Sequence, residues 1–160
     1  MLFRSAEFVY TVVLKPKPLK AAANRVIRAL LPRTIQYGPA TVVLNPKDPV
    51  VSGALAFRVY ERSELAFVSH SLKPGMTVLD VGANVGLYSA LAGRLVGPEG
   101  RVAAFEPDTE SFQYLLQTSR ENGLTNVQAA NLAASDAAGV AFRSEEHTSV
   151  LQSHSFISYA

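Results

Sequence analysis

The chain has 160 residues, 48% of them hydrophobic and 18% charged, with 15 Lys+Arg against 13 Asp+Glu and a formal charge of +2. That length suits one domain, and the apolar share excludes disorder. The absence of cysteine excludes a disulfide framework and a thiolate zinc site, and so small a net charge gives no argument for nucleic acid, which is expected to be no partner.

The chain opens with MLFRSAEFVYTVVLKPKPLK, whose longest apolar run, Phe8 to Leu14, falls far short of the ~20 residues a bilayer span needs. Arg4 and that run resemble a weak signal peptide, but Glu7 and the Lys-Pro-Lys-Pro that follows speak against one. A cytoplasmic location is expected, ahead of secretion or a membrane-edge role. Ala6 to Leu14 reads as a short helix stopped by Pro16 and Pro18. Leu19 to Leu31 is a clearer helix, with Leu19, Ala22, Ala23, Val26, Ile27, Leu30 and Leu31 at helical spacing and Pro32 ending it. Lys15, Lys17, Lys20, Arg25, Arg28 and Arg33 form a basic cluster, first a solvated face and second a surface for an anionic partner. Ile35 to Tyr37 and Thr41 to Leu44 read as strands around Gly38-Pro39, Asn45 to Pro49 as a loop, and Val59 to Ser71 as a helix.

After Lys73-Pro74-Gly75 the pattern changes. Thr77 to Val81 (TVLDV) reads as a buried strand, Val85 to Val96 as an apolar helix, Arg101 to Phe105 as a second strand, Thr109 to Asn122 as a second helix and Val127 to Ala133 as a third strand. Strands alternating with helices over short links predict an α/β unit with a parallel sheet.

The informative stretch is Val78-Leu-Asp-Val-Gly-Ala-Asn-Val-Gly86, at a strand-to-helix turn. Gly82 and Gly86 remove side chains where a ligand approaches the backbone. Asp80 can accept hydrogen bonds from loop amides or a ligand ammonium, and Asn84 tolerates an unusual backbone angle. Glu106 follows the second strand, twenty residues after Gly86, where an acidic side chain in a nucleotide-binding unit takes ribose hydroxyls. A dinucleotide fingerprint needs G-x-G-x-x-G, and no such triplet exists here; Asp80 would also repel a pyrophosphate. A ligand with a ribose, no phosphate and a cation near Asp80 suits the pattern, and S-adenosylmethionine has all three features. Tyr88 and Ser89 open the helix as core or cofactor wall, Tyr88 on the core side. Tyr60-Glu61 is a solvated helix start first and a lid over the cofactor second, and His70 has a surface or capping role.

D-x-G-A-N-x-G followed at this spacing by F-E-P resembles the amino-terminal half of an FkbM-type S-adenosylmethionine-dependent methyltransferase, over about Pro32 to Phe142. The resemblance implies a Rossmann-like class I methyltransferase fold, truncated after about three parallel strands, with an N-terminal helix and a β-hairpin lead-in. It implies that Asp80, Gly82, Ala83, Asn84 and Gly86 line the cofactor loop and that Glu106 holds the ribose, with Pro107 shaping that turn. Ser135 and Asp136 stand where adenine is often contacted, or form an ordinary turn. The acceptor atom is expected to be an oxygen of a small-molecule, glycan or lipid-type acceptor; no metal is expected and no catalytic base can be named. The rival readings are a nicotinamide-type oxidoreductase and a non-catalytic fragment.

The expected organisation is an N-terminal helical segment (1–31), a lead-in hairpin and helix (32–72), a partial cofactor-binding domain (73–142) and a tail (143–160). The family's later K-I-D-V-E-G-like strand is absent, which leaves Val78, Leu79 and Val81 on a strand with an unpaired edge, an aggregation liability. Arg143 to Ser153 matches one translated frame of a common sequencing adapter except at Val150, so the tail, with His147 and His154, is expected to be adapter-derived and the fragment inactive.

Overall fold

The computed structural model describes residues 21, 25–26, 28–57 and 62–134. Strands β1 (Thr34–Tyr37) and β2 (Ala40–Val43) form an antiparallel hairpin in which Tyr37 pairs with Ala40 across Gly38-Pro39. Helices α1 (Pro49–Ala56) and α2 (Arg62–Ser71) follow. Then β3 (Thr77–Val81), α3 (Leu87–Val96), β4 (Arg101–Phe105), α4 (Thr109–Glu121) and β5 (Val127–Ala130) alternate. The last three strands form a parallel sheet in the order β3-β4-β5, so each helix carries the chain back to start the next strand in the same direction.

Register places Asp80 beside Ala104 and Val81 beside Phe105, while Phe105 pairs with Ala130. The carboxyl ends of three neighbouring strands therefore meet at one edge, where open α/β sheets bind ligands. The hairpin, α1, α2 and α3 share a core built from Val42, Leu44, Leu55, Leu65, Leu87 and Leu91. Beneath the sheet, Ala83, Ala104 and Leu115 form a second cluster and Ala92, Val96 and Val102 a third. Fully burying a leucine such as Leu55 or Leu115 is worth about 1.5–3 kcal/mol.

Several expectations shift. Helix α1 falls where a loop and unassigned chain were expected: Asp48 caps it, its Oδ1 accepting from Val50 N at 3.2 Å and Val51 N at 3.1 Å, with Pro49 at the first helical position. Helix α3 starts at Leu87 rather than Val85, because Asn84 and Gly86 both have left-handed backbone. Strand β5 ends at Ala130, where Asn131 turns to bond the β4 side of the sheet. Strand β3, expected to be buried, exposes Thr77, Leu79 and Val81; Leu79 is 60% exposed because α3 packs on the opposite face. In the N-terminal helical stretch Val26 and Leu30 are exposed, while Leu31 packs against the core.

The expected helix over Ala6 to Leu14, Lys15, Lys17 and Lys20, Tyr60-Glu61, Ser135, Asp136 and the tail from Arg143 lie outside the described residues. Among the described residues no helix is long and apolar enough to cross a membrane.

Candidate cofactor loop and its carboxylates

The β3–α3 connection is held in shape by its own backbone. Gly82 N and Ala83 N both donate to Phe105 O, at 2.8 and 3.0 Å, and Gly86 N donates to Ala83 O at 2.8 Å. Asn84 N donates to Glu106 Oε2 at 2.7 Å. These four amides point into the protein, whereas a pyrophosphate-binding turn directs amides outward to the ligand. The internal bonding thus agrees with the missing glycine triplet.

The two glycines have different causes. Gly82 has φ +81° and a Cβ there would meet nothing within 4 Å, so its face is open. Gly86 has φ +85°, but a Cβ there would lie 2.7 Å from Leu115 Cδ1 and 3.3 Å from Leu115 Cα. The sequence reading gave both one role, ligand approach; in the structure Gly86 admits α4, and only Gly82 faces open space. Asn84 has φ +48°, the one positive φ outside glycine among the described residues. Ala83 is buried against Ala104 and Leu115, so its methyl points into the core.

Two carboxylates flank this loop. Ser89 Oγ donates to Asp80 Oδ2 at 2.5 Å. Burial pushes the Asp80 carboxyl above its ordinary value, against the Ser89 hydrogen bond that lowers it, and the negative charge of Glu106 adds to the rise. A cation placed beside Asp80 would reverse that penalty. Glu106 is only 7% exposed. Its Oε2 takes Asn84 N, and its Oε1 takes Asp108 N at 2.8 Å. Each oxygen keeps a second acceptor direction, as many as a vicinal diol has donors.

The turn after β4 is braced from both sides. Asp108 caps α4, accepting from Ser111 N at 2.8 Å, and Pro107 stands exposed between Glu106 and the cap. Asn131 Nδ2 donates to Glu106 O at 2.8 Å and to Pro107 O at 3.1 Å. Sequence reasoning missed Asn131; the signal is its place one residue past the third strand, level with Glu106. Of the expected site residues, Asp80, Gly82, Asn84, Glu106 and Pro107 gather at this edge, Ala83 and Gly86 serve the packing beneath it, and Ser135 and Asp136 are outside the described residues. Tyr88 packs against the core, and His70 Nδ1 bonds Ala66 O at 2.6 Å. A shallow cleft of about 380 Å³ between α2 and Tyr88 has none of the loop residues in its lining.

A family model described as Protein-L-isoaspartate(D-aspartate) O-methyltransferase (PCMT) matches residues 61–141. Ribosomal RNA large subunit methyltransferase E of Acinetobacter baylyi is 44% identical over 62 residues, covering 36% of this chain and 29% of that protein. The chain thus spans less than a third of the length of the curated relatives it matches. Among solved structures, a SAM-dependent methyltransferase from Aquifex aeolicus is 34% identical, covers 46% of this chain and 38% of that one, and has a TM-score of 0.39. Trm5b from Pyrococcus abyssi is 18% identical, with coverages of 60% and 26% and a TM-score of 0.44. The expectation of a small-molecule, glycan or lipid-type acceptor with no nucleic acid is corrected: the curated relatives are named as ribosomal RNA methyltransferases. A net charge averaged over the chain says nothing of the acceptor.

Proposed function

Because the chain belongs to the S-adenosylmethionine-dependent methyltransferases, by its match to the PCMT model over residues 61–141, we propose that the protein methylates an oxygen of RNA. Its cofactor is S-adenosylmethionine, which supplies an electrophilic methyl group on a sulfonium. The residues present fit it: an open glycine face at Gly82, a desolvated carboxylate at Asp80 and a diol-matched carboxylate at Glu106. In this reading Glu106 holds the ribose, Asp80 faces the cationic end, and Asn84, Ala83 and Gly86 keep the loop in shape. The chain's contribution is positioning, which can supply most of the acceleration in a displacement between two oriented reactants.

The 44% identity to ribosomal RNA methyltransferases carries the choice of RNA. Oxygen is supported by the matched family's description, and a ribose hydroxyl is the neutral oxygen nucleophile RNA offers. The pairing of D-x-G-A-N-x-G with F-E-P supports an FkbM-type subgroup, with residues 73–142 as its cofactor-binding part, 32–72 as a lead-in and 1–31 as a helical segment. The family description itself favours a second acceptor, a protein carboxyl group. Incubating the full-length protein with methyl-labelled S-adenosylmethionine and either ribosomal RNA or an isoaspartyl peptide separates the two. Label in RNA supports the first, base-stable label on peptide is expected from neither, and base-labile label on peptide alone replaces RNA with the carboxyl acceptor.

A further inference from the structure

Strand β2 pairs with β1 on one side only. On its other side, three backbone groups are met by side chains of α4 and its C-cap: Val43 N donates to Thr118 Oγ1 at 3.0 Å, Thr41 N to Asn122 Oδ1 at 2.9 Å, and Asn122 Nδ2 donates to Thr41 O at 2.6 Å. The Asn122 amide gives Thr41 the donor and acceptor that a neighbouring strand would give. Both side chains are buried, Thr118 at 0% and Asn122 at 4% exposure. The other branch of Thr118 faces the cofactor loop, where a Cβ at Gly86 would lie 3.4 Å from its Cγ2. Gly86 caps α3 with left-handed backbone; its N–H donates to Ala83 O at 2.8 Å and its carbonyl accepts from Ala90 N at 2.9 Å, and Leu115 and Thr118 of α4 pack on its open side.

We infer that Thr118 is a positioning residue for the cofactor loop: its hydroxyl holds strand β2, its methyl braces Gly86, and hairpin docking and cofactor binding are thereby coupled. The inference rests on the cofactor reading above. Coupling of this kind is reciprocal, so a ligand on the loop must tighten the hairpin clamp.

The test is amide exchange and calorimetry on the full chain with S-adenosylhomocysteine. In the wild-type protein the ligand slows exchange at Val43 at least threefold more than at Leu44, whose amide bonds Arg33 O inside the hairpin. Thr118→Ser keeps the hydroxyl and loses the methyl: affinity falls roughly three- to tenfold, basal Val43 exchange stays unchanged, and the ligand's extra slowing there disappears. Thr118→Val keeps a methyl and loses the acceptor: basal Val43 exchange rises at least tenfold. A purely structural role lowers Tm without moving affinity measured where the fold is fully populated. Equal slowing at Val43 and Leu44, or affinity within twofold of wild type in Thr118→Ser, overturns the inference alone. No binding by the wild-type protein overturns the cofactor reading and this role with it. The wild-type arm needs no substitution and decides the matter if a variant does not fold.

Discussion

Replacing Glu106 with glutamine tests the site at its most constrained point. The carboxylate is nearly buried and accepts two backbone amides, Asn84 N at 2.7 Å and Asp108 N at 2.8 Å, one on each oxygen. Glutamine has one acceptor oxygen and one amine donor, so whichever way its amide turns, one of those N–H groups faces another donor. Leaving a buried donor unsatisfied costs about 1–3 kcal/mol. A loss near 2 kcal/mol lowers Tm by roughly 8–16 °C in a domain of about 100 residues. On the proposed assignment of Glu106 to the ribose, the same change also takes a charge away from the diol, and S-adenosylhomocysteine affinity is expected to fall at least tenfold, about 1.4 kcal/mol. Differential scanning calorimetry reads the first effect and titration calorimetry the second. An unchanged Tm would refute the two-amide geometry; a lowered Tm with unchanged affinity would make Glu106 a loop brace and remove it from the ligand's site.

Further substitutions separate the other contributions. Gly86→Ala meets Leu115 and a positive φ together, so about 1–2 kcal/mol of backbone cost adds to about 1–3 kcal/mol of overpacking, whereas Gly82→Ala meets only the backbone cost and loses cofactor affinity instead; equal Tm losses would refute the distinction. Asp80 has a carboxyl raised in the folded state, so the stability linked to it is fully present below the unfolded carboxylate value and is lost as pH rises through the raised one. Asp80→Asn should therefore raise Tm near neutral pH while weakening S-adenosylmethionine, and wild-type affinity should climb with pH across that window; a pH-independent affinity would detach Asp80 from the cationic end. Leu79→Lys on the open face of β3 should change stability by no more than about 0.5 kcal/mol, read by urea unfolding; a loss of several kcal/mol would mean that this face is covered.

What could be read from the residues divides along physical lines. TVLDV and RVAAF were legible as strands to the residue, because each is a short apolar run bounded by glycine or proline turns. Helix α1 was not, since PVVSGALA has no polar face to set a period, although Asp48-Pro49 carried its cap. That Asp80, Gly82 and Glu106 gather at one edge was legible, because their spacing in sequence is local to one strand-turn-helix-strand unit. Gly86 looked like Gly82 because the contact that distinguishes them, with Leu115, comes from the next helix. Asn131 depends on the β4–β5 register, and the Thr118–Asn122 clamp joins residues 75 and 81 positions apart, separations that no local pattern reports. Nucleic acid was set aside on charge summed over the whole chain, which says nothing of any one surface, and the curated relatives named as ribosomal RNA methyltransferases overturn that exclusion.

The central claim is that the Gly82–Glu106 edge binds S-adenosylmethionine. Titration calorimetry of the protein with S-adenosylhomocysteine and, separately, with NAD tests it most directly. Saturable one-to-one binding of S-adenosylhomocysteine, weakened by Glu106→Gln, with no heat from NAD is the predicted result; binding of NAD with none of S-adenosylhomocysteine would contradict it.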